Sequence, residues 1–250
     1  MKYNNMKYNL TDTSIIIHFR RDFIDRLNNL ETIIRFLNEN FNYKEIIIIN
    51  DDSVLDEGML QFKNSKDNII GLFYKNNGIF RKADAFNIAA KVATGKILCF
   101  YDVDILIEPI FLEEAQTLIL NGNYDHIYPH NGEFITVKKE VFNEILPTYD
   151  FDYMNNNQKT ENFEWAAGNS PGGCNMITIE AFNKISGYDS RFLGWGFEDS
   201  DYKNRSMRKN RVKYIDSARA VCWHLQHDNA IKAENPYYNH NYQIYIENNK

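Results

Sequence analysis

Apolar runs of strand length alternate with helical patterns along the first half of the chain. Four buried strands are predicted, at residues 14–19, 45–49, 68–74 and 96–101. Helices are predicted between and after them, one following Asp22, one over residues 80–94 with Gly95 as its C-cap, and one over residues 109–120. This alternation predicts an α/β fold with a mixed, mostly parallel sheet that is flanked by helices on both faces.

The second half of the chain is less regular. Short strands are predicted at residues 125–130, 134–137, 174–179, 212–215 and 220–223, and helices at residues 138–145 and after residues 194–201, to about Asn210. Residues 147–169 are polar and aromatic, which predicts a long loop, and the last twenty or so residues predict a lid or a disordered end. Residues 1–250 are expected to form a single domain, because neither a repeat nor a linker interrupts them.

Polar residues follow three of the predicted strands at the point where each strand ends. These segments are His18-Phe19-Arg20, Asp51-Asp52 and Asp102-Val103-Asp104. Parallel sheets of this class bind their ligands beyond the carboxyl ends of the strands. The agreement between the three strands therefore indicates a candidate site at that edge.

Asp102 and Asp104 form the first candidate cluster. An apolar strand that ends in two carboxylates two residues apart places both on one edge, where they repel each other unless a cation lies near. Carboxylate oxygens suit Mg²⁺, Mn²⁺ or Ca²⁺. A solvated pair of Asp residues in a turn is the alternative, and the buried strand before the pair leaves both interpretations open.

His224 and His227 form the second cluster. Two imidazoles three residues apart can share one face of a turn and bind one metal ion. A pair of surface histidines is the alternative. Carboxylates together with imidazoles suit Mn²⁺ better than Ca²⁺.

The glycine-rich acidic segment 194–201 carries the most specific pattern. Trp195 stands between two glycines that allow a tight turn, and it offers a flat face of the kind on which a pyranose ring stacks. Glu198 and Asp199 stand near the start of the following helix, where a carboxylate stays ionised and can accept a proton from a hydroxyl. An acidic helix start after a glycine turn is the alternative, but it does not explain the Trp.

Basic residues flank two of the predicted elements. Arg81 and Lys82 begin the helix over residues 80–94, and Arg20 and Arg21 follow the first strand. Side chains of this type bind diphosphates, and solvated helix ends explain them equally well.

Composition narrows the function mainly by exclusion. The 250-residue chain has a net charge of −6 and a pI near 5.6, which argues against a nucleic-acid binder with a basic face. No apolar stretch approaches the length of a membrane span, and residues 1–10 lack the apolar core of a signal peptide. Cys99, Cys174 and Cys222 form no CxxC pair, so they are interpreted as buried thiols in a reducing compartment. The sequence contains no Walker A loop, no GxGxxG and no GxSxG.

Six segments taken together resemble glycosyltransferases of the GT-A fold. They are HFR at 18–20, FRKADAFN at 80–87, FYDVD at 100–104, GGCNM at 172–176, GYDSRFLGWGFEDSD at 187–201 and HLQH at 224–227. In particular they resemble the C-terminal domain of beta-1,4-galactosyltransferases and bacterial capsule or chondroitin-type transferases of the large inverting family. The resemblance runs from about residue 14 to residue 235. It implies a Rossmann-like nucleotide-diphospho-sugar transferase fold, a UDP-sugar donor, and Mn²⁺ (or Mg²⁺) bridging the two phosphates of the donor.

The resemblance also implies roles for individual residues. Asp104 and His227 would bind the metal, with His224 as a further ligand where the galactosyltransferases use Met. The residues expected to contact the donor are His18, Phe19, Arg20, Asp51 or Asp52, Arg81, Lys82, Asn87, Asp102, Val103 and Gly173. The residues expected at the acceptor are Trp195, Gly196 and Glu198, and those expected to be catalytic are Asp199, as the base, and Glu198.

The implied function is a metal-dependent, inverting transfer of a hexose or N-acetylhexosamine from a UDP-sugar to a sugar acceptor in glycan or polysaccharide synthesis. Residues 1–130 would bind the nucleotide-sugar and residues 131–250 the acceptor, while the Trp195 loop and residues 228–245 would close over the donor. The expected acceptor is an oligosaccharide or a lipid-linked glycan, in the cytoplasm, with peripheral membrane contact left open and no nucleic-acid partner. The alternative is a non-catalytic nucleotide- or carbohydrate-binding module on the same fold.

One departure from the galactosyltransferases concerns the donor sugar. Ahead of the Gly-Gly pair they carry an aromatic side chain that crowds the C2 substituent of the donor. Here Ser170 and Pro171 precede Gly172 and Gly173. Because a smaller side chain leaves room for an N-acetyl group, N-acetylhexosamine donors are expected to be tolerated.

Overall fold

The computed structural model describes residues 7–21, 24–63, 68–227 and 235–250, and two β-sheets organise them. The larger sheet consists of β1 (Tyr8–Phe19), β2 (Phe41–Asp52), β3 (Ile69–Lys75), β4 (Ile97–Asp102), β6 (His126–Tyr128), β9 (Cys174–Thr178) and β10 (Val212–Tyr214). The smaller sheet consists of β5 (Ile105–Leu106), β7 (Phe134–Val137), β8 (Phe163–Ala167) and β11 (Cys222–Leu225).

Helices cover both faces of the larger sheet. The α-helices of the described residues are α1 (Ile24–Asn40), α2 (Glu57–Lys63), α3 (Lys82–Val92), α4 (Pro109–Leu120), α5 (Phe142–Ile145), α6 (Phe151–Asn157), α7 (Ile179–Lys184), α8 (Glu198–Lys209) and α9 (Tyr238–Asn248). α1, α2 and α4 contribute to the core on one face, and α3, α7 and α8 contribute to the core on the other. Within the described ranges, no helix combines the length and the apolar character needed to cross a membrane.

The larger sheet has the strand order β10-β6-β9-β4-β1-β2-β3. β1, β2, β3 and β4 are parallel, and β9 runs antiparallel between β4 and β6. The isoleucines at 15–17 and 46–49 are almost completely buried, because alternate side chains enter the cores on opposite faces. The predicted α/β fold with a mixed, mostly parallel sheet flanked by helices is confirmed.

The smaller sheet brings a distant segment beside the end of β4. β5 begins shortly after β4 and pairs antiparallel with β11, so that His224 lies opposite Ile105. The backbone N–H of Leu225 donates a 2.8 Å hydrogen bond to the carbonyl of Asp104. Main-chain pairing therefore places residues 224–227 next to the Asp102-Val103-Asp104 segment.

The prediction of a long loop over residues 147–169 is wrong, because the segment contains α6 and β8. Asp150 caps α6 by accepting a 2.8 Å hydrogen bond from the N–H of Tyr153. β8 pairs with β7, and the ring of Phe163 packs against that of Trp223 with 5.7 Å between the centroids. Pairing and packing thus order a segment whose local composition favours a loop.

The described C-terminal residues form a helix, so the predicted disordered end is wrong, whereas closure of this segment as a lid stays a prediction. α9 packs against α8, with Asn241 fully buried and Ile244 almost so. Residues 228–234, the first part of the predicted lid, lie outside the described residues. The described remainder owes its order to contacts with α8 rather than to its own polar sequence.

Gly95 is not the C-cap of α3. The helix ends at Val92, and Ala93 then takes an extended conformation with ψ of 137°. A Cβ on Gly95 would lie 2.6 Å from the backbone N of Ser14 and 2.8 Å from the backbone O of Asp12. The residue is glycine because the backbone of β1 passes too close for any side chain.

Gly95→Ala is therefore expected to destabilise the protein by about 1–3 kcal/mol, the usual cost of overpacking a close-packed site. Urea denaturation of wild type and variant would measure the difference. Gly71→Ala is the matched control, because its added Cβ would meet only the flexible end of Met59 at 3.4 Å. Equal stability of Gly95→Ala and Gly71→Ala would contradict this account of the close approach.

Candidate active site

Asp104, His224 and His227 form a group of potential metal ligands, here called the metal cluster, at the carboxyl edge of β4. The Oδ2 atom of Asp104 lies 3.1 Å from Nε2 of His227 and 3.9 Å from Nε2 of His224. One ligand atom from each residue lies within 4.8 Å of the others. Two motifs that are far apart in the sequence thus form one site.

The protonation states of the metal cluster suit a divalent cation. Burial works to raise the pKa of Asp104, but the charge of Arg26 and the two imidazoles outweigh it and hold that pKa well below its usual range. Burial lowers the pKa of His224, which favours the neutral, ligating form of its ring. A carboxylate oxygen together with imidazole nitrogens is a donor set that Mn²⁺ accepts well.

Arg26 is a cation that contacts the metal cluster, and it was not among the site residues predicted from the sequence. Its guanidinium donates a hydrogen bond to Oδ2 of Asp104, and its side chain is 16% exposed. Arg26 stands in the first turn of α1, where the helix dipole favours acids over bases. This unfavourable position is the only sign in the sequence that Arg26 has a special role. Its contact with Asp104 depends on how α1 packs and could not be predicted.

Lys82, the first residue of α3, binds carboxylates from two different motifs. Its Nζ atom lies 3.1 Å from Oδ1 of Asp102 and 3.0 Å from Oδ2 of Asp199. Burial alone would lower its pKa, but the charges of Asp102, Asp199 and Glu198 hold it well above the usual value. Lys82 therefore stays charged and ties the end of β4 to the start of α8.

Glu198 and Asp199, here called the acid pair, open α8; Glu198 is buried, and the side chain of Asp199 is 20% exposed. The chain turns sharply into the helix through Gly196 and Phe197, with φ of 116° and 69°, and the N–H of Gly196 donates a 2.8 Å hydrogen bond to Oε2 of Glu198. Burial, and then the charge of Asp199, raises the pKa of Glu198 to about 7. Burial also raises the pKa of Asp199, against the attraction of Lys82. Acids with raised proton affinity beside a fixed cation suit proton transfer.

The Gly172-Gly173 turn lies between the end of β4 and the acid pair. The N–H of Asp102 donates a 2.8 Å hydrogen bond to the carbonyl of Gly173. A Cβ on Gly173, which has φ of +81°, would lie 2.7 Å from the ring of Phe134, and one on Gly172 would lie 3.2 Å from Oδ2 of Asp199. Glycine at both positions therefore lets the backbone run directly against Asp102 and Asp199.

Trp195 is 56% exposed beside the acid pair, on a loop that α9 holds in place. The amide of Asn241 donates to the carbonyls of Leu193 and Gly196 at 2.7 and 3.1 Å, and accepts from the N–H of Leu193 at 3.0 Å. The ring of Phe197 contacts three rings of α9, those of Tyr238, Tyr242 and Tyr245. These contacts between α9 and residues 193–197 are here called the clamp. The helical spacing of the three tyrosines is the sequence signal that could have predicted it.

The ends of β1 and β2 contain both buried and accessible donor candidates. Asp51 is fully buried, accepts a 2.6 Å hydrogen bond from the N–H of Arg81, and lies 3.2 Å from Nε2 of His18. Arg20 lies 3.9 Å from both Asp51 and Asp52, and the side chain of Asp52 is 29% exposed. Asp51 therefore organises this corner, and Arg20 and Asp52 reach its surface.

Besides the buried His18 and Asp51, three other predicted donor residues do not present their side chains to the site. The amide of Asn87 is engaged by the backbone of Tyr188, donating to its carbonyl at 2.8 Å and accepting from its N–H at 2.9 Å. The side chains of Phe19 and Val103 are fully buried in the core. Asn87 thus supports the 187–190 turn, and a donor contact by Phe19 or Val103 is limited to the backbone.

Two family models match this chain. One described as Glycosyl transferase family 2 matches residues 14–185, and one described as the N-terminal domain of galactosyltransferase matches residues 159–228. The chain belongs to glycosyltransferase family 2. The second match includes the Gly172-Gly173 turn, the acid pair and both histidines of the metal cluster, and the resemblance to galactosyltransferase-like enzymes is confirmed.

Solved structures show that this family 2 glycosyltransferase has the GT-A fold. A mannosyltransferase from Pyrobaculum calidifontis, in complex with GDP-Man and Mn²⁺, aligns at a TM-score of 0.54 with 15% identity, over 89% of this chain and 59% of its own. GalNAc-T7 with UDP, GalNAc and Mn²⁺ aligns at 0.62 with 16% identity, over 95% of this chain and 48% of its own. A mutant of Drosophila beta-1,4-galactosyltransferase 7 with manganese, UDP-Gal and xylobiose aligns at 0.52 with 13% identity, over 88% of this chain and 71% of its own.

The glycosyltransferase chain thus spans 59% and 48% of the lengths of the first two of these proteins. No curated protein matches it.

Glu198→Gln is expected to make the glycosyltransferase more stable than wild type at pH 8, with little gain at pH 5. Folding raises the pKa of Glu198 from 4.5 to about 7, so between these values the folded state binds more protons than the unfolded state. Wild type therefore loses stability as pH rises through this window. The Gln oxygen still accepts the hydrogen bond of Gly196 but carries no charge.

Urea denaturation at both pH values would measure this difference. Glu140→Gln is the control, because Glu140 is exposed and its removal should leave the pH dependence of wild type unchanged. An unchanged pH dependence in Glu198→Gln would show that the acid pair does not destabilise the folded state.

Proposed function

We propose that this chain transfers a sugar from a UDP-sugar to a sugar acceptor, with inversion at the anomeric carbon, in glycan or polysaccharide synthesis. The observation that carries the proposal is the arrangement around Asp102-Val103-Asp104. Asp104 belongs to the metal cluster, and Asp102 shares Lys82 with Asp199 of the acid pair. A donor with its diphosphate at the metal cluster would extend its sugar toward the acid pair.

The compared proteins support a nucleotide-sugar donor. GalNAc-T7 was solved with UDP and GalNAc, and the galactosyltransferase 7 mutant with UDP-Gal, whereas the mannosyltransferase was solved with GDP-Man. A UDP-linked hexose or N-acetylhexosamine is the proposed donor, because residues 159–228 match a galactosyltransferase model.

Mn²⁺ is the proposed cofactor, with Mg²⁺ as the alternative. Asp104 would supply a carboxylate oxygen, and His224 and His227 would supply imidazole nitrogens. Mn²⁺ is favoured because Mg²⁺ prefers a shell of oxygen ligands. When bound, the cation neutralises the negative charge that grows on the diphosphate leaving group.

One domain would contain two functional halves. Residues 1–130 include the ends of β1, β2 and β4, and thus Arg20 and Asp52, which would contact the nucleotide. Residues 131–250 include Trp195 and the acid pair, which would receive the acceptor. The backbone of Gly173 would lie against the donor sugar where the halves meet.

Asp199 is the proposed base in a single displacement. Its carboxylate takes the proton of the acceptor hydroxyl while that oxygen bonds to the anomeric carbon, opposite the breaking bond to the diphosphate, which leaves with the electron pair. Lys82 favours the ionised form of Asp199 against burial. Glu198 would hold the acceptor by hydrogen bonding, and Trp195 would stack on its ring.

An oligosaccharide or a lipid-linked glycan in the cytoplasm is the proposed acceptor. The exposed face of Trp195 supports a sugar acceptor. The thiols of Cys99, Cys174 and Cys222 are buried and free. The Sγ atoms of Cys99 and Cys174 lie 3.6 Å apart without forming a disulfide, and free thiols at this distance support a reducing compartment.

A non-catalytic nucleotide- or carbohydrate-binding module is the second candidate function. The acid pair argues against it, because burial and the repulsion between Glu198 and Asp199 raise the free energy of the folded state. Binding a nucleotide requires no such arrangement, whereas accepting a proton does.

Asp104→Ala and Asp199→Asn are expected to separate donor binding from transfer. Calorimetric titration of UDP-Gal, UDP-GalNAc, UDP-GlcNAc and UDP-Glc, with and without Mn²⁺, should show Mn²⁺-dependent binding to wild type. Asp104→Ala should lose it, because the cluster loses its carboxylate. Asp199→Asn should retain donor binding and lose at least a hundredfold in transfer rate, in line with the usual contribution of a positioned base.

Each variant serves as the control for the other. Transfer by Asp199→Asn at the wild-type rate would exclude Asp199 as the base. Absence of binding by any UDP-sugar would exclude the proposed donor class, and donor binding without transfer by wild type would favour the non-catalytic module.

UDP-GalNAc and UDP-GlcNAc, like UDP-Gal, are expected to bind wild type. The hydroxyl of Ser170 accepts a 3.4 Å hydrogen bond from the N–H of Gly172, so this small side chain folds onto its own loop. Ser170→Tyr should weaken binding of the N-acetylated donors more than binding of UDP-Gal, and Ser170→Ala is the matched control. Binding of UDP-Gal alone by wild type would contradict the expected tolerance.

A further inference from the structure

Arg26, which contacts the metal cluster, carries a largely buried charge that the proposed chemistry leaves unused. The guanidinium of Arg26 is bonded to Oδ2 of Asp104, and the two side chains are 16% and 8% exposed. The Nε atom of Arg26 is buried and has no hydrogen-bond partner within the described part of the chain. Arg26 thus competes for the carboxylate on which a metal would bind, and it retains an unmet donor.

The charges beside Asp104 do not balance when a cation is added alone. Arg26 and Asp104 neutralise each other, and the carboxylates of Asp102 and Asp199 are held on the other side by Lys82. A divalent cation and Arg26 together bring three positive charges against the one carboxylate of Asp104, and this local excess is weakly screened in a nearly buried place. An anion that enters with the cation removes this excess, and a diphosphate is such an anion.

We propose that Arg26 couples cation binding to nucleoside diphosphate binding. In the ligand-free protein its guanidinium neutralises Asp104. Arg26 releases Asp104 when a cation binds there, and its planar fork of N–H donors then pairs with phosphate oxygens. Cation and nucleotide therefore raise each other's affinity by the same factor. The inference rests on the proposed function, because it requires a nucleoside diphosphate at the metal cluster.

Calorimetric titration of the full chain tests the coupling without any activity measurement. Mn²⁺ is titrated alone, and UDP is titrated at saturating Mn²⁺. Arg26→Gln is expected to bind Mn²⁺ alone about tenfold more tightly than wild type, and UDP with Mn²⁺ about tenfold more weakly, as expected for one charge-assisted hydrogen bond in each state. Both affinities of Arg26→Lys should lie between those of wild type and those of Arg26→Gln.

Arg35→Gln is the matched control, because it removes the same charge from the same helix. Nε of Arg35 donates a 2.8 Å hydrogen bond to the hydroxyl of Tyr149, outside the metal cluster. Both affinities of this variant should equal those of wild type.

Three other results have distinct meanings. An unchanged Mn²⁺ affinity in Arg26→Gln overturns the coupling, and a weakened one overturns it by showing that Arg26 positions Asp104 for the metal. A wild-type chain that binds neither Mn²⁺ nor UDP overturns the proposed function, and the inference with it.

A stability measurement keeps the inference testable if Arg26→Gln folds poorly. In the presence of a chelator, the double variant Arg26→Gln, Asp104→Asn should have a higher Tm than Arg26→Gln alone, because it leaves no unpaired buried carboxylate. An equal or lower Tm would show that Arg26 does not neutralise Asp104.

Discussion

The carboxylates of Asp102, Asp104 and Asp199 at the carboxyl edge of β4 are each paired with a cation, and the packing of α1, α3 and α8 depends on these pairs. Lys82 reaches Asp102 and Asp199 from α3, and Arg26 reaches Asp104 from α1. α1 and α3 cover opposite faces of the larger sheet, so the two cations meet the edge from opposite sides. A desolvated charge without a partner costs several kcal/mol, so these helices cannot shift independently of the site.

The strands of the fold were predictable where a continuous apolar run in the sequence corresponds to a strand that is buried on both faces. The isoleucine runs of β1 and β2 are buried on both faces, and a continuous apolar run is the signature of such a strand. The pattern fails where order comes from a partner distant in the sequence. β8 is ordered by its pairing with β7, and α9 by its packing on α8. The local composition of both segments resembles that of a loop or tail, and it therefore did not predict them.

The candidate site was predictable as far as its residues belong to compact motifs. The segments around Asp104, Asp199 and His227 were each recognisable, and the structure brings all three to one edge. Arg26 and Asn241 carry no motif, because each acts on a residue that lies far away in the sequence. The engagement of Asn87 by the backbone of Tyr188 likewise follows from tertiary packing, and a local pattern gives it no signal.

The clamp formed by α9 has a consequence for how the protein is made. Asn241 holds the backbone of Leu193 across 48 residues, so the Trp195 loop waits for a helix that the ribosome adds much later than β4. Contacts between residues this far apart can form only after the chain between them has been made. The position of the Trp195 loop, on the surface proposed for the acceptor, is therefore fixed only when α9 has been synthesised and has docked.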